Sequence, residues 1–168
     1  MPEERIGKQR WLALDTTTLG KLDAILGEFL SVSGAKCALL VDKDGYLVTQ
    51  QGKAFSFDND TISALVAGGY GATKEIARLL GEDEFSVLYH QGKRESLQLT
   101  LVSDCALLTV IFDNQTTLGM IRLYSQEAAK KLGVVITEMH QNATAGATID
   151  LDTEFASNAR ERLDNLFG

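Results

Sequence analysis

Two continuous apolar runs place the strongest limit on the fold of this chain. Residues 37–41 and 106–112 are short and almost entirely apolar, with no polar face. A strand of that composition must be covered on both sides, so the two runs predict central strands of a sheet with helices on both faces. The fold class that follows is α+β, an α/β/α sandwich.

Three further segments complete the predicted sheet. Residues 47–50 follow the turn Asp42-Lys43-Asp44-Gly45, residues 85–91 form a short run, and residues 96–101 alternate strictly between leucine and polar side chains. The turn favours a β-hairpin over a calcium loop, because the ligand spacing and the distal glutamate of such a loop are missing. Short turns at 92–95 and 103–104 predict antiparallel neighbours.

Apolar residues at intervals of three and four predict helices at residues 18–32, 60–80 and 117–139. Thr16 to Thr18 are available as N-caps of the first helix, and Asp60 is the expected N-cap of the second. The element order is α-β-β-α-β-β-β-α around a five-stranded antiparallel sheet. We expect an N-terminal extension at 1–15, one domain at 16–140, and a linker with an acidic C-terminal segment at 141–168, the linker being residues 141–148. In that last segment Phe155, Leu163 and Phe167 lie on one face of a possible short docking helix; an unattached tail is the alternative.

Composition disfavours several classes of partner. The formal charge is -7 and the 16 basic residues are scattered, which argues against nucleic acid and against an anionic membrane surface. The chain has no apolar run of about 20 residues and no signal-peptide pattern, so a cytoplasmic protein is expected. In that compartment Cys37 and Cys105 are expected to be buried thiols instead of a disulfide or reactive site.

The sequence predicts no catalytic residues, no metal site and no cofactor. A phosphate-binding P-loop is absent, because the glycines and lysine of residues 68–74 have the wrong spacing. His90 and His140 have no Cys or carboxylate at ligand spacing, and His90 is expected to have a structural or interface role. No serine lies in a nucleophile elbow.

The second predicted helix carries an anomaly. Gly68, Gly69 and Gly71 each cost about 0.8–1 kcal/mol relative to alanine in a helix interior. An apolar stripe is expected to face the sheet and to consist of Ile62, Leu65, Val66, Ile76, Leu79 and Leu80. A second, flatter stripe predicts a docking platform for another protein, formed by Ala64, Gly68, Gly71, Ala72, Glu75 and Arg78. A helix broken at Gly69, or packing against a neighbouring helix, is the alternative explanation.

Four blocks in order, LLVDKDGYLV, DTISALVAGGYGATKEIARLLGE, FSVLYHQGKRESLQLT and LLTVIFDNQTTLGMIRL, resemble the Roadblock / dynein light chain family, and within it the MglB-like subgroup. The resemblance covers about residues 18–139. Its departures are a longer N-terminal extension and Glu75, where a small residue would suit a close platform better.

The resemblance implies a homodimer in which the strand containing Phe85, Val87, Tyr89 and Gln91 meets its copy and extends the sheet. It also implies that the platform helices bind a GTP-bound Ras-like small GTPase of the MglA type and accelerate hydrolysis. Such activators reorganise the GTPase and do not insert an arginine finger; Arg78 is then a candidate contact and Arg94 a weaker one. The alternatives are a scaffold without effect on hydrolysis and, less favoured, a small-molecule sensor.

Overall fold

The computed structural model describes Trp11, residues 14–53 and residues 58–167, with the backbone alone described at 145–154 and 167. Within these residues, three helices and five strands follow the predicted order. The helices are α1 (Thr16–Ser33), α2 (Asn59–Leu79) and α3 (Leu118–Phe167). The strands are β1 (Cys37–Asp42), β2 (Leu47–Gly52), β3 (Val87–Gln91), β4 (Ser96–Val102) and β5 (Ala106–Phe112).

The strands form one antiparallel sheet in the order β2-β1-β5-β4-β3. The two apolar runs are β1 and β5, and they pair in the middle of the sheet with Leu40 opposite Leu108. Every residue of both strands is buried. The prediction that these runs form the central strands is therefore confirmed.

Helices cover both faces of the sheet, as predicted. Helices α1 and α3 pack against each other on one face, where Leu22, Phe29, Ile121 and Leu132 join the main apolar core. Helix α2 covers the other face, where Val66 belongs to a second cluster. The chain is thus a three-layer α/β/α sandwich whose strand edges, β2 and β3, lie at opposite sides.

Local signals fix most element ends, with small corrections. Gly45 has a φ of 99° and its amide donates to the Asp42 carbonyl, which closes the predicted hairpin turn. The N-cap of α1 is Asp15, whose Oδ1 accepts from the Thr18 amide at 2.7 Å, and not one of the three threonines that follow. The N-cap of α2 is Asp58 and not Asp60.

The predicted linker at 141–148 was wrong. Helix α3 continues without a break from Leu118 to Phe167, so the acidic C-terminal segment is the end of that helix. Helical hydrogen bonds are local and need no neighbouring element, and alanines at 143, 145 and 147 support the helix where we expected a loop. Met139 is the last buried residue of α3 in the described part of the chain.

Trp11 ties the N-terminal segment to the body. Its indole Nε1 donates to Asp42 Oδ2 at 2.6 Å, and its ring lies 6.2 Å from that of His140. Trp11 is half-buried against the main core. None of the described helices is long and apolar enough to cross a membrane.

Candidate protein-binding surface

Helix α2 turns a buried face of mostly small residues to the sheet. Tyr70 is 4% exposed and packs in one cluster with Leu99 and Leu107, while Ala77 is fully buried. Small side chains bring the helix axis close to the sheet, and the tyrosine ring fills the remaining space. The residues of this face are Ser63, Val66, Ala67, Tyr70 and Ala77.

The predicted orientation of α2 was therefore partly wrong. Of the apolar stripe expected to face the sheet, only Val66 is buried and Ile62 is half-buried. The other four are exposed to 70%, 54%, 88% and 70%, and these are Leu65, Ile76, Leu79 and Leu80. The buried face could have been recognised from the helical spacing of its small residues and tyrosine, which are Ser63, Ala67, Tyr70 and Ala77. We considered only the large apolar residues. Exposed large apolar side chains in one group mark an interaction surface.

The three glycines of α2 are open to the outside. A Cβ built on Gly68, Gly69 or Gly71 meets no atom within 4 Å. The helix also runs unbroken through Gly69. Neither a helix break nor packing against another described element explains why these residues are glycine. The surface above them has no side chains that would keep a second backbone away.

All six predicted platform residues are exposed on α2: Ala64, Gly68, Gly71, Ala72, Glu75 and Arg78. Arg78 Nη1 lies 3.1 Å from Glu75 Oε1, and both side chains are more than 60% exposed. An exposed pair of this kind contributes little to stability, so both groups are available to a partner. Arg94 is exposed in the turn between β3 and β4.

The exposed surface of α2 has two sides with different neighbours. On one side, a Cβ at Gly45 of the β1–β2 turn would lie 3.2 Å from the Ala64 Cα. On the other side, Val66 shares its cluster with Leu88 of β3. At 100° per residue, Leu65, Gly69, Ile76 and Leu80 fall beside Val66. The large apolar residues therefore turn toward the β3 edge, and the platform stripe turns away from it.

A polar network fixes the segment between α2 and β3. The Tyr70 hydroxyl lies 2.9 Å from Glu84 Oε2 and 3.0 Å from the Phe85 carbonyl oxygen, and Lys43 Nζ lies 2.8 Å from Glu84 Oε2. The hydrogen bond from Lys43 lowers the pKa of Glu84, while burial and then Glu84 raise the pKa of Tyr70. The network joins the hairpin turn, α2 and the entry to β3, so it sets the position of the strand edge.

Strand β3 lies at one edge of the sheet and pairs only with β4 among the described strands. It begins at Val87, so Phe85 precedes it and is half-buried. Val87 and Tyr89 are half-buried on the α3 face, and Gln91 is exposed at the strand end. Because an edge strand has unpaired backbone groups along its outer side, β3 is open to pairing with another strand.

The C-terminal part of α3 forms an arm beyond Met139. On it Phe155 is 77% exposed, Leu163 53% and Leu166 77%. Phe155 and Leu166 are eleven residues apart and share one face of the helix. The Phe167 side chain lies outside the described residues. The described residues leave Phe155, Leu163 and Leu166 uncovered.

The two cysteines and the two histidines are the remaining candidate groups. Cys37 and Cys105 are both buried as thiols, which confirms the prediction, and burial raises the pKa of Cys37. His90 is exposed on β3 and His140 is half-buried beside Trp11. Within the described residues, no group of three His, Cys, Asp or Glu side chains is arranged to hold a metal ion.

Comparisons with known proteins agree with this fold. The family model of the Roadblock/LC7 domain matches residues 21–112, which is more than half of the chain. MglB of Myxococcus xanthus is 34% identical with a TM-score of 0.69, and the match covers 72% of this chain and 91% of that protein.

Two further solved structures are similar to a comparable extent. The gliding protein MglB from Thermus thermophilus is 32% identical, with a TM-score of 0.70, and the match covers 74% of this chain and 95% of that one. An MglB with a tetrameric arrangement is 32% identical, with a TM-score of 0.72 and coverages of 75% and 95%. The resemblance of the four sequence blocks is thereby confirmed, and the chain belongs to the Roadblock/LC7 domain family, with the fold of MglB.

Proposed function

We propose that this protein is a homodimeric activator of a Ras-like small GTPase of the MglA type, acting in the cytoplasm in cell polarity or motility. The observation that carries the proposal is the outer surface of α2, where exposed Leu65, Ile76 and Leu79 border three open glycines. This surface has no role inside the described fold. It suits a second copy on one side and a partner protein on the other.

The homodimer is supported by the open edge of β3 and the apolar side of α2 that turns toward it. A two-fold axis perpendicular to the sheet pairs two copies of one strand in an antiparallel manner, like every other pair in this sheet. The same axis brings the two α2 helices side by side. Their Leu65, Ile76 and Leu80 side chains then leave water, while Gly69 allows close approach of the two backbones. Phe85, Val87, Tyr89 and Gln91 lie along the joined strands.

The GTPase surface is the platform stripe that turns away from β3. Ala64, Gly68, Gly71 and Ala72 present a flat surface to the GTPase backbone, and the Glu75–Arg78 pair supplies polar contacts at its end. Arg78 is an exposed residue of a helix that is packed on the sheet, so it suits a binding contact better than an inserted catalytic group. Arg78→Ala should therefore weaken binding, with full stimulation at saturating protein. Complete loss of stimulation at saturation would contradict a mechanism without an arginine finger.

The similar proteins support the biological setting. The Thermus thermophilus relative is described as a gliding protein, which favours a role in motility. The tetrameric arrangement of another MglB favours self-association through surfaces of this fold. The identities of 32–34% cover most of each protein. They support a class of partner shared with the MglB proteins more strongly than the common fold does, because one fold can serve many functions.

The C-terminal arm extends the proposal to a second contact. Phe155, Leu163 and Phe167 dock on the GTPase away from the platform and alter nucleotide exchange. Truncation after Thr148 should then leave the folded domain intact and change binding or the exchange rate. Unchanged binding and exchange would remove this role from the arm.

The central test is single-turnover GTP hydrolysis by the Ras-like GTPase encoded in the same genome, with and without a molar excess of this protein. Gly71→Arg should keep the fold, because its position is open, and should abolish stimulation. Gly20→Arg is the matched control, since Gly20 is also an open, exposed helix position but lies on α1, across the sheet. The control should stimulate like the unchanged protein.

The outcomes separate the two candidate functions. Stimulation that is lost in Gly71→Arg and kept in Gly20→Arg supports an activator that uses the α2 platform. Tight GTP-dependent binding with no change in the hydrolysis rate favours the scaffold. No binding to the GTPase, in either nucleotide state, would contradict the proposed partner.

The dimer has its own test. Ile76→Asp places a charge in the proposed contact and should shift the protein to a monomer in sedimentation or light scattering. Val134→Asp is the control, because Val134 is a similarly exposed apolar residue of α3. A dimer that survives Ile76→Asp, or that is equally lost in Val134→Asp, would contradict the proposed interface.

A further inference from the structure

A polar cleft lies on the face of the sheet opposite the α2 platform. It has a volume of about 280 Å³ and opens between the β3 edge, β4 and the beginning of α3. Strand pairing through the β3 backbone leaves the faces of the strand free, so the cleft stays accessible in the proposed dimer. Its lining residues are Val87, Tyr89, Gln98, Thr100, Arg122 and Gln126.

The buried amide of Gln98 lines this cleft with an unmet hydrogen-bonding requirement. Gln98 is only 1% exposed, and its Nε2 lies 3.3 Å from the Thr100 hydroxyl. Its Oε1 is buried and has no hydrogen-bond partner among the described residues. Buried amide groups are rarely left unpaired, because their desolvation is not compensated. One half of this amide is therefore available to a molecule that enters the cleft.

The rim of the cleft carries hydrogen-bond donors. Arg122 and Gln126 are one helical turn apart on α3, so their side chains lie on the same face. Arg122 is exposed and forms no ion pair or hydrogen bond with the described residues. A guanidinium and an amide at this spacing suit the two oxygens of a carboxylate.

The side chains at the floor of the cleft, Gln98 and Thr100, and the Tyr89 ring at its wall suit the same ligand. The Thr100 hydroxyl can donate as well as accept, so the Gln98 amide can turn by 180° and present its NH₂ group to an acceptor. The Tyr89 ring packs on Phe112, with ring centres 6.1 Å apart and planes 20° from parallel, which gives the cleft a firm aromatic wall. Donors at the rim and at the floor, beside an apolar wall, select a small anionic group on a short carbon chain.

We propose that this cleft binds a carboxylate group, held by Arg122 and Gln126 at the rim and by the Gln98 amide at the floor. The carboxylate comes either from a small free acid or from an acidic side chain of a peptide segment. The site goes beyond the proposed GTPase function: none of its lining residues lies on the α2 platform, although Val87 and Tyr89 belong to the strand of the proposed dimer. A protein that fails to stimulate a GTPase can still carry this site, and the reverse also holds.

The test uses the full-length protein and two probes, succinate and a peptide with blocked ends that carries two glutamates. Binding is followed by calorimetry and by the side-chain amide signal of Gln98 in protein labelled with ¹⁵N glutamine. Succinamide, which has the same carbon skeleton without charge, is the ligand control. Arg122→Gln should weaken binding by about tenfold or more. Lys130→Gln, at another position of α3, should leave binding unchanged.

A second variant tests the floor. Gln98→Leu should remain folded, since it replaces a buried amide whose Oε1 is unpaired by an apolar side chain of similar size, and should lose binding. Binding of succinate, of the peptide or of both supports the site and identifies the source of the carboxylate. The proposal is overturned if neither probe binds at about 20 mM, if Lys130→Gln weakens binding as much as Arg122→Gln, or if the Gln98 amide signal does not move. The last result would indicate that water alone fills the cleft.

Discussion

Replacing two platform glycines by alanine should make this protein more stable and less able to bind the proposed GTPase partner. Gly68 and Gly71 lie inside α2, and a Cβ at either position meets no atom within 4 Å. Neither has the positive φ that would strain an alanine. The methyl groups therefore cost nothing in packing and remove the entropic penalty of glycine in a helix.

The magnitude follows from helix propensity. Each glycine is about 0.8–1 kcal/mol less favourable than alanine in a helix interior, so Gly68→Ala combined with Gly71→Ala should raise the free energy of unfolding by about 1.6–2 kcal/mol. For a chain of this size that corresponds to an increase in Tm of about 3–8 °C. The same two methyl groups project from the proposed GTPase surface, so the affinity for the GTPase should fall while stability rises.

The assay is denaturant and thermal unfolding at one fixed protein concentration, because a dimer makes the apparent stability depend on concentration. Gly20→Ala is the matched control: it should give about 0.8–1 kcal/mol from the same propensity effect and leave GTPase binding unchanged. Gly52→Ala is the opposite control. Gly52 has a φ of 106° and its Cβ would meet the Lys36 carbonyl oxygen, so this variant should be destabilised.

One result would refute the reasoning. If the Gly68 and Gly71 double variant is less stable than the unchanged protein while Gly20→Ala is more stable, the glycines serve the fold itself and not a partner. If the double variant is more stable and binds the GTPase unchanged, the platform stripe is not the binding surface, although the account of its stability holds.

Three further predictions concern the body of the domain. Lys43 lowers the pKa of Glu84, so the stability it provides is present above the ordinary glutamate pKa of 4.5 and is lost as the pH falls through the lowered value. Glu84→Gln should thus unfold about 1 kcal/mol more easily at pH 7, and urea titrations at lower pH should show this difference closing below pH 4.5; a constant difference would exclude the ion pair as its cause. Tyr70→Phe removes a hydroxyl that contacts Glu84 and a backbone carbonyl, and should cost about 1–2 kcal/mol in the same assay; an unchanged value would mean that the contact contributes nothing. Cys37 and Cys105 should react with a thiol reagent only after denaturation, and rapid labelling of the native protein would contradict their burial.

The order of elements was predictable from local patterns because each pattern reports a requirement that any fold must meet. Residues 37–41 and 106–112 have no polar face, so they had to become central strands, and β1 and β5 are fully buried. Gly45 closes its turn because few other residues adopt its φ. The alternation of β4 also held, with its leucines packed beneath α2.

Two features were not predictable in this way. The predicted orientation of α2 about its axis was wrong, because the spacing of apolar residues does not show which face packs on the sheet. The face of small residues packs there, and Leu65, Ile76, Leu79 and Leu80 are exposed. The acidic C-terminal segment was expected to follow a linker. The helix continues to Phe167, since extending an existing helix avoids the cost of nucleation and each added residue contributes one more hydrogen bond.

The sequence by itself determined the α+β order, the central strands, the buried thiols and the glycine-rich helix, since these depend on the polarity of residues that are close along the chain. Only the tertiary structure decided which face of α2 is free, that β3 is an edge, and that Gln98 is buried beneath α3 beside Arg122. Those facts depend on which elements meet, and a strand residue that is polar in sequence is buried or exposed according to the helix that covers it. The candidate binding surfaces of this protein are therefore determined by its tertiary structure.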